Sequence, residues 1–237
     1  MAQSERVQQI LAQLAAAAGT GAPGTMGSRL VAACQDSLGV SGVGLISMTD
    51  RGPGTLLAAT DGHAQVIEEL QFSLGEGPCI DASRLGRPLL QPQLAQTGPP
   101  RWPAFTAAAI AAGVAAIFAF PLHVGGIKLG VLDVSHQTAG MLGPADLTDA
   151  LGFADAATLA ILQLQAIAGD APMHPEMVAA MEDRAVVHQA TGMISVQMNS
   201  SLADALVLLR ARAYAAERPI RQLATDVVNH VVRLDDR

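Results

Sequence analysis

Large rings are nearly absent from this 237-residue chain: five Phe, one Trp and one Tyr make up 3% of it. Its core must therefore be assembled from Ala, Leu, Val and Ile. Charge is also sparse, at 15% of residues against 50% hydrophobic, and this balance excludes wholesale disorder. Two cysteines, Cys34 and Cys79, are too few for a disulfide framework and lack metal-type spacing. The six histidines (His63, His123, His136, His174, His188 and His230) are scattered, with no His-x-x-x-His pair. No phosphate-cradling glycine loop and no Gly-x-Ser-x-Gly elbow occur, so the usual signatures of catalysis are missing. The polar start, MAQSERVQQI, has no signal-peptide pattern. These absences lead us to expect a cytoplasmic protein that is not an enzyme, with no evident cofactor and no metal.

One long uncharged window tests that expectation. No Lys, Arg, Asp or Glu stands between Arg101 and Lys128, which is enough chain to cross a bilayer. Gly113, Pro121 and Gly125-Gly126 interrupt it, so we read a helix followed by a buried hairpin and expect no membrane partner. The net charge of −7 argues against a chain that grips nucleic acid over its whole surface. Yet charge is uneven, and positions 184–221 set five arginines against Asp204 and Glu217. A local basic patch is possible there.

Periodicity places helices over 4–18, 28–38, 63–72, 102–112 and 145–168. Strands fit 42–48, 55–59 and 87–91, and 114–122 pairs with 127–134 as a hairpin across Val124-Gly125-Gly126. The mixture predicts an α+β domain with a mainly antiparallel sheet flanked by helices, spanning 1–168 with its N-terminal helix. Gly169-Asp170-Ala171-Pro172 opens a linker over 169–174, after which no strand signal remains. Three helices, at about 175–199, 201–217 and 219–232, fill a second domain over 175–237. Pro175 and Pro219 sit at helix starts, and Ser201 with Asp204 form a variant capping box.

The loop at 73–79 has two glycines and a proline, and such rigid loops often wall a pocket. Phe72, Glu76 and Cys79 are its ligand-binding candidates. Cys79 reads either as a redox-sensitive thiol or, preferably, as a small buried hydrophobe. In the first C-terminal helix, Arg184, His188, Thr191 and Ser195 fall on one narrow polar stripe. Val186, Val187, Ala190, Met193, Ile194 and Met198 form its apolar arc. Leu202, Ala205, Leu206, Leu209, Ala213 and Ala216 form the buried face of the second helix, flanked by Arg210 and Arg212. Ile220, Leu223, Ala224, Val227 and Val231 line up in the third. Gly192 costs its helix about 0.5–1 kcal/mol relative to alanine, so it marks close approach of a neighbouring helix or of a ligand. The arginines are either a solvated rim or a binding surface, and with Tyr214 the one aromatic of this region, the composition argues against recognition on an aromatic sheet.

The run Arg184-Ala-Val-Val-His-Gln-Ala190-Thr-Gly192-Met-Ile, with Ala205, Leu209-Arg210-x-x-Ala213 and Pro219-Ile220-x-x-Leu223-Ala224, resembles an ANTAR domain over about 173–232. That resemblance implies dimers that bind tandem RNA stem-loops and prevent transcription termination. It marks Ala190, Gly192, Ala205, Arg210 and Ala213 as matching positions. The family often carries Lys where this chain has Thr191, and Arg184, Arg212 or Arg218 is a candidate to supply the missing cation; His188 is a further RNA-binding candidate. Leu74-Gly75-Glu76-Gly77-Pro78-Cys79, Arg101-Trp102-Pro103, Phe120-Pro121-Leu122 and Leu129-Gly130 resemble a GAF domain of the kind fused to ANTAR in actinobacteria, over roughly 25–168. Such a domain implies an unknown small-molecule effector; no bilin, haem or cyclic-nucleotide motif is present. The expected function is a homodimeric, signal-responsive RNA-binding antitermination regulator. Three rivals stand beside it: a DNA-binding helical transcription factor, a thiol-dependent reductase, and a sensor that works by protein contact alone.

Overall fold

A computed structural model of the chain describes residues 3–19, 24–49, 52–167 and 175–234. The expected linker, 169–174, lies outside the described residues. The rest divides into two compact units, residues up to 167 and residues from 175 onward, with Ser73–Gly75 grouped with the second.

The first unit opens with α1 (Gln3–Gly19) and α2 (Met26–Leu38), the latter capped by the Thr25 side chain, which accepts from the Ser28 N–H. Strands β1 (Gly42–Thr49) and β2 (Gly52–Ala59) follow, then α3 (Gly62–Leu74) and α4 (Pro78–Leu85). Next come β3 (Leu89–Gln91), α5 (Leu94–Thr97), α6 (Pro103–Ala111), β4 (Ala116–Val124), β5 (Ile127–His136) and α7 (Pro144–Ile167). The five strands form one antiparallel sheet in the order β2-β1-β5-β4-β3. The uncharged window from 101 to 128 resolves into α6 and the β4–β5 hairpin. No single helix among the described residues is long and apolar enough to cross a membrane.

Strand alternation assigns the two faces of this sheet different work. Val43 and Leu45 of β1, Phe118, Phe120 and Leu122 of β4, and Leu132 and Val134 of β5 point to one side. There they pack with Leu30, Val31 and Cys34 of α2, Val7 and Ile10 of α1, and Phe153 and Ala157 of α7. Burying each of the larger side chains stabilises the unit by about 1.5–3 kcal/mol. The intervening positions, including Gly44, Ala119 and Asp133, face the opposite side.

The loop expected over 73–79 is shorter than the sequence suggests. Pro78 occupies the first turn of α4, a position where its missing N–H costs nothing, so Cys79 begins a helix rather than ending a loop. Helix α4 was not expected, because eight residues give too little periodicity to detect.

The second unit is α8 (Pro175–Gln197), α9 (Leu202–Ala215) and α10 (Ile220–Val228), each helix packed on the other two. Val187, Ala190 and Ile194 of α8 meet Ala205, Leu206, Leu209 and Ala213 of α9, and Ile220, Leu223, Ala224 and Val227 of α10. Ser201 caps α9 as expected, accepting from the Asp204 N–H at 3.1 Å. Four apolar assignments fail: Met198, Leu202, Ala216 and Val231 are exposed, each at or just beyond the end of its helix.

Candidate functional site

On the face of the sheet opposite α2 and α7, a polar cluster sits within apolar surroundings. Asp133 lies in the middle of β5 between Leu132 and Val134, and its cross-strand neighbours are Gly44 and Ala119. Glu68 and Gln71, three residues apart on α3, reach the same point from above the sheet. All three are buried, with Asp133 only 2% exposed. The Gln71 amide nitrogen donates to Asp133 Oδ2 at 2.6 Å and lies 3.5 Å from Glu68 Oε2. Its oxygen accepts the Cys79 N–H at 2.8 Å, tying the start of α4 to the cluster. Burial raises the Asp133 carboxyl from its ordinary value to about 6, against the opposing pull of hydrogen bonds from Gln71 and Glu68.

Two glycines make room for this arrangement. A methyl group on Gly44 would run into the Glu68 carboxyl. Gly77, with φ of 143°, precedes α4 in a conformation that side-chain-bearing residues avoid, and a methyl there would stand 2.7 Å from Gln71 Oε1. Gly77 therefore answers to Gln71.

Of the three ligand candidates drawn from the sequence, Phe72 is buried in the unit and Cys79 is buried beside the cluster. Glu76 has a different partner: its Oε1 accepts the Phe105 N–H at 2.8 Å, completing the start of α6, where Pro103 occupies the first turn. Asp81 likewise accepts from Arg101 at 2.9 Å and from the Trp102 indole at 3.2 Å, while the Arg101 guanidinium lies over the Trp102 ring. The family-like residues around 76–81 and 101–103 thus stitch α4 to α6. Cys34 sits in the core on the far face of the sheet from Cys79, so the two thiols do not form a redox pair. Outside the cluster, Ser83, Arg84, His123 and Lys128 line a shallow open groove beside the β4–β5 turn.

In the second unit, the candidates separate into three groups. Ala190, Ala205 and Ala213 are buried at the helix contacts, where small side chains let the backbones approach. Thr191, expected on a polar stripe, is 5% exposed and donates to the Val187 carbonyl at 2.7 Å. The stripe therefore turns inward at Thr191: His188 is exposed, while Ser195 is half-buried and donates to the Ser200 carbonyl. Arg218, just ahead of α10, pairs with Asp226 near the end of that helix at 2.6 Å. Arg210 is half-buried, and burial lowers its guanidinium to about 10, leaving it charged at neutral pH. Arg212 is exposed. The side chain of Arg184 lies outside the described residues. Gly192 overturns one expectation: no described atom beyond its own helix turns lies within 4 Å of where a Cβ would stand. No described neighbouring helix demands glycine there.

Residues 23–162 match the family model described as GAF domain, and residues 176–228 match the one described as ANTAR domain. The chain belongs to the GAF-domain family, a class of signal-sensing domains. The ANTAR domain that follows is an RNA-binding antitermination module, and the two in this order make the chain a GAF–ANTAR regulator. Among solved structures, the GAF domain of an Acinetobacter phosphoenolpyruvate-protein phosphotransferase is 12% identical with a TM-score of 0.50, over 72% of this chain and 98% of that one. The corresponding GAF domain from Coxiella burnetii is 15% identical with a TM-score of 0.50, over 70% of this chain and 98% of that one. At these identities the likeness speaks to fold alone. Comparison with curated proteins finds no match.

Proposed function

We propose that the chain is a signal-responsive antitermination regulator that binds tandem RNA stem-loops through α8–α10 as a homodimer in the cytoplasm. The sensory domain covers 1–168 and the RNA-binding domain 175–237, joined by 169–174. The observation that carries this reading is the open space beside Gly192, within the ANTAR match. A glycine in mid-helix costs about 0.5–1 kcal/mol, and no contact among the described residues recovers that cost. An outside backbone approaching α8 closely would do so. Exposed Arg212 and His188 belong to the same three-helix unit and supply polar groups for phosphates. Phosphate contacts would give most of the affinity and make it salt-dependent. A small-molecule signal in the GAF domain would act by changing the packing of the long helices within 145–199, and so the dimer and its RNA surface.

Crosslinking the full chain to transcripts in cells, followed by sequencing of what is recovered, tests this directly. The reading expects enrichment of leader segments with two adjacent stem-loops. Recovery of no RNA above an untagged control would reject it.

A further inference from the structure

We propose that Glu68, Cys79 and Asp133 form a binding site for a borderline divalent metal ion, of the zinc or ferrous class, inside the GAF domain. The inference is independent of RNA binding. Three donor atoms, one carboxylate oxygen each from Glu68 and Asp133 and the Cys79 sulfur, lie within 4.8 Å of one another, and all three residues are buried. Atoms so arranged surround a point roughly 2.8 Å or less from each, so small side-chain adjustments reach the ~2.0–2.3 Å of zinc–oxygen and zinc–sulfur bonds. The donors come from α3, α4 and β5, elements brought together only by the fold.

A second observation points the same way. Asp133 is 2% exposed, and its Oδ1 has no hydrogen-bond partner among the described residues, although Oδ2 is held by Gln71. Buried carboxylate oxygens are ordinarily satisfied, since an orphaned one keeps its full desolvation cost. Two carboxyl groups side by side in a dry interior make the problem worse, because like charges there need protons or a cation between them. A metal ion answers both demands at once.

The surroundings are built for it. Gly44 and Ala119 keep the sheet low on either side of Asp133, and Gly44 leaves the space that the Glu68 carboxyl fills. Gln71 orients two of the donors: it donates to Asp133 and holds the backbone of Cys79. Partners of this kind fix ligand direction in metal sites. The donor set then selects the ion. A thiolate disfavours magnesium and calcium, which take oxygen alone, while two carboxylates are too hard for copper(I). Zinc and ferrous iron accept both. Cys79 coordinates as thiolate, so its proton leaves to solvent on binding. Three protein ligands also leave a coordination position open.

The test uses the full chain, stripped with chelator under reducing, anaerobic conditions, loaded with zinc, ferrous or cobaltous ion and desalted. Elemental analysis should find about one ion per chain, and the cobalt form should show a thiolate-to-metal charge-transfer band in the near ultraviolet. Cys79→Ser should abolish that band, and Glu68→Gln, which removes a direct ligand, should weaken binding by at least the ~10-fold lost with an outer partner. Cys34→Ser, on the other face of the sheet, should retain full occupancy and the band. Circular dichroism of each variant identifies any that fails to fold. If Cys79→Ser does, the wild-type cobalt spectrum and Glu68→Gln carry the decision. Wild-type protein that retains no ion beyond background, or a folded Cys79→Ser that binds as tightly, overturns the proposal.

Discussion

Gln71 and Asp133, 62 positions apart in sequence, are joined by a 2.6 Å hydrogen bond in the interior of the GAF domain. The same Gln71 side chain receives the N–H of Cys79. One residue of α3 therefore fixes both a central strand and the first turn of α4. Gln71→Leu should destabilise the domain by about 2–4 kcal/mol, because it strands a buried carboxyl and a buried N–H together. Chemical denaturation followed by circular dichroism reads the change, and a loss below about 1 kcal/mol would mean the contacts are replaceable.

Gly192 separates two kinds of importance. With no described atom against the space where its Cβ would be, Gly192→Ala should leave the free protein as stable or raise stability by about 0.5–1 kcal/mol. RNA binding should weaken, since the added methyl occupies the open side of α8. A thermal melt and a filter-binding titration on the same preparation check both halves. Lower stability would show that the glycine serves internal packing.

The arginines should not behave alike. Arg212→Ala should reduce RNA affinity severalfold and flatten the salt dependence by about one unit of slope, with the fold untouched. Arg218→Ala removes the ion pair to Asp226, so its first effect should be on how α10 is held. That pair is partly exposed, and its loss should cost no more than about 1 kcal/mol. Arg210→Ala is expected to weaken binding to paired hairpins. Titrations at two salt concentrations distinguish the three.

Cys34 gives a pH test. Burial, aided by the nearby Asp149 charge, pushes its thiol from 9.0 up to about 12. Below pH 9 both folded and unfolded chains keep the proton, and the full stability is present. Between pH 9 and about 12 only the unfolded chain releases it, so stability falls as pH rises. The slope due to this thiol should approach about 1.4 kcal/mol per pH unit and vanish in Cys34→Ala. Denaturant titrations across that window, with the variant as reference, measure it. Equal slopes would place the thiol in contact with water.

Much of this architecture is legible in the residues themselves. The apolar runs at 114–122 and 127–134 around Val124-Gly125-Gly126 announce the hairpin found as β4 and β5, and Ser201 with Asp204 announces the start of α9. What is less visible depends on three dimensions. Thr191 looks polar on a helical wheel, yet its hydroxyl satisfies itself on the Val187 carbonyl and so can be buried. Glu76 looks like a ligand group until the fold brings the start of α6 to it. The cluster of Glu68, Gln71 and Asp133 leaves one clue in sequence, an acidic residue amid the apolar run Leu-Gly-Val-Leu-Asp-Val. Its partners lie on another element, and no local spacing reveals them.

Side-by-side titration of the full chain with a tandem stem-loop RNA recovered from cells, the same RNA with one stem unpaired, and duplex DNA of equal length tests RNA recognition by α8–α10 most directly. The account predicts tightest binding to the intact tandem RNA, by ~10-fold or more over either alternative, and a steep loss of affinity with salt. Equal or tighter binding to duplex DNA, or no preference for the paired stems, would contradict it.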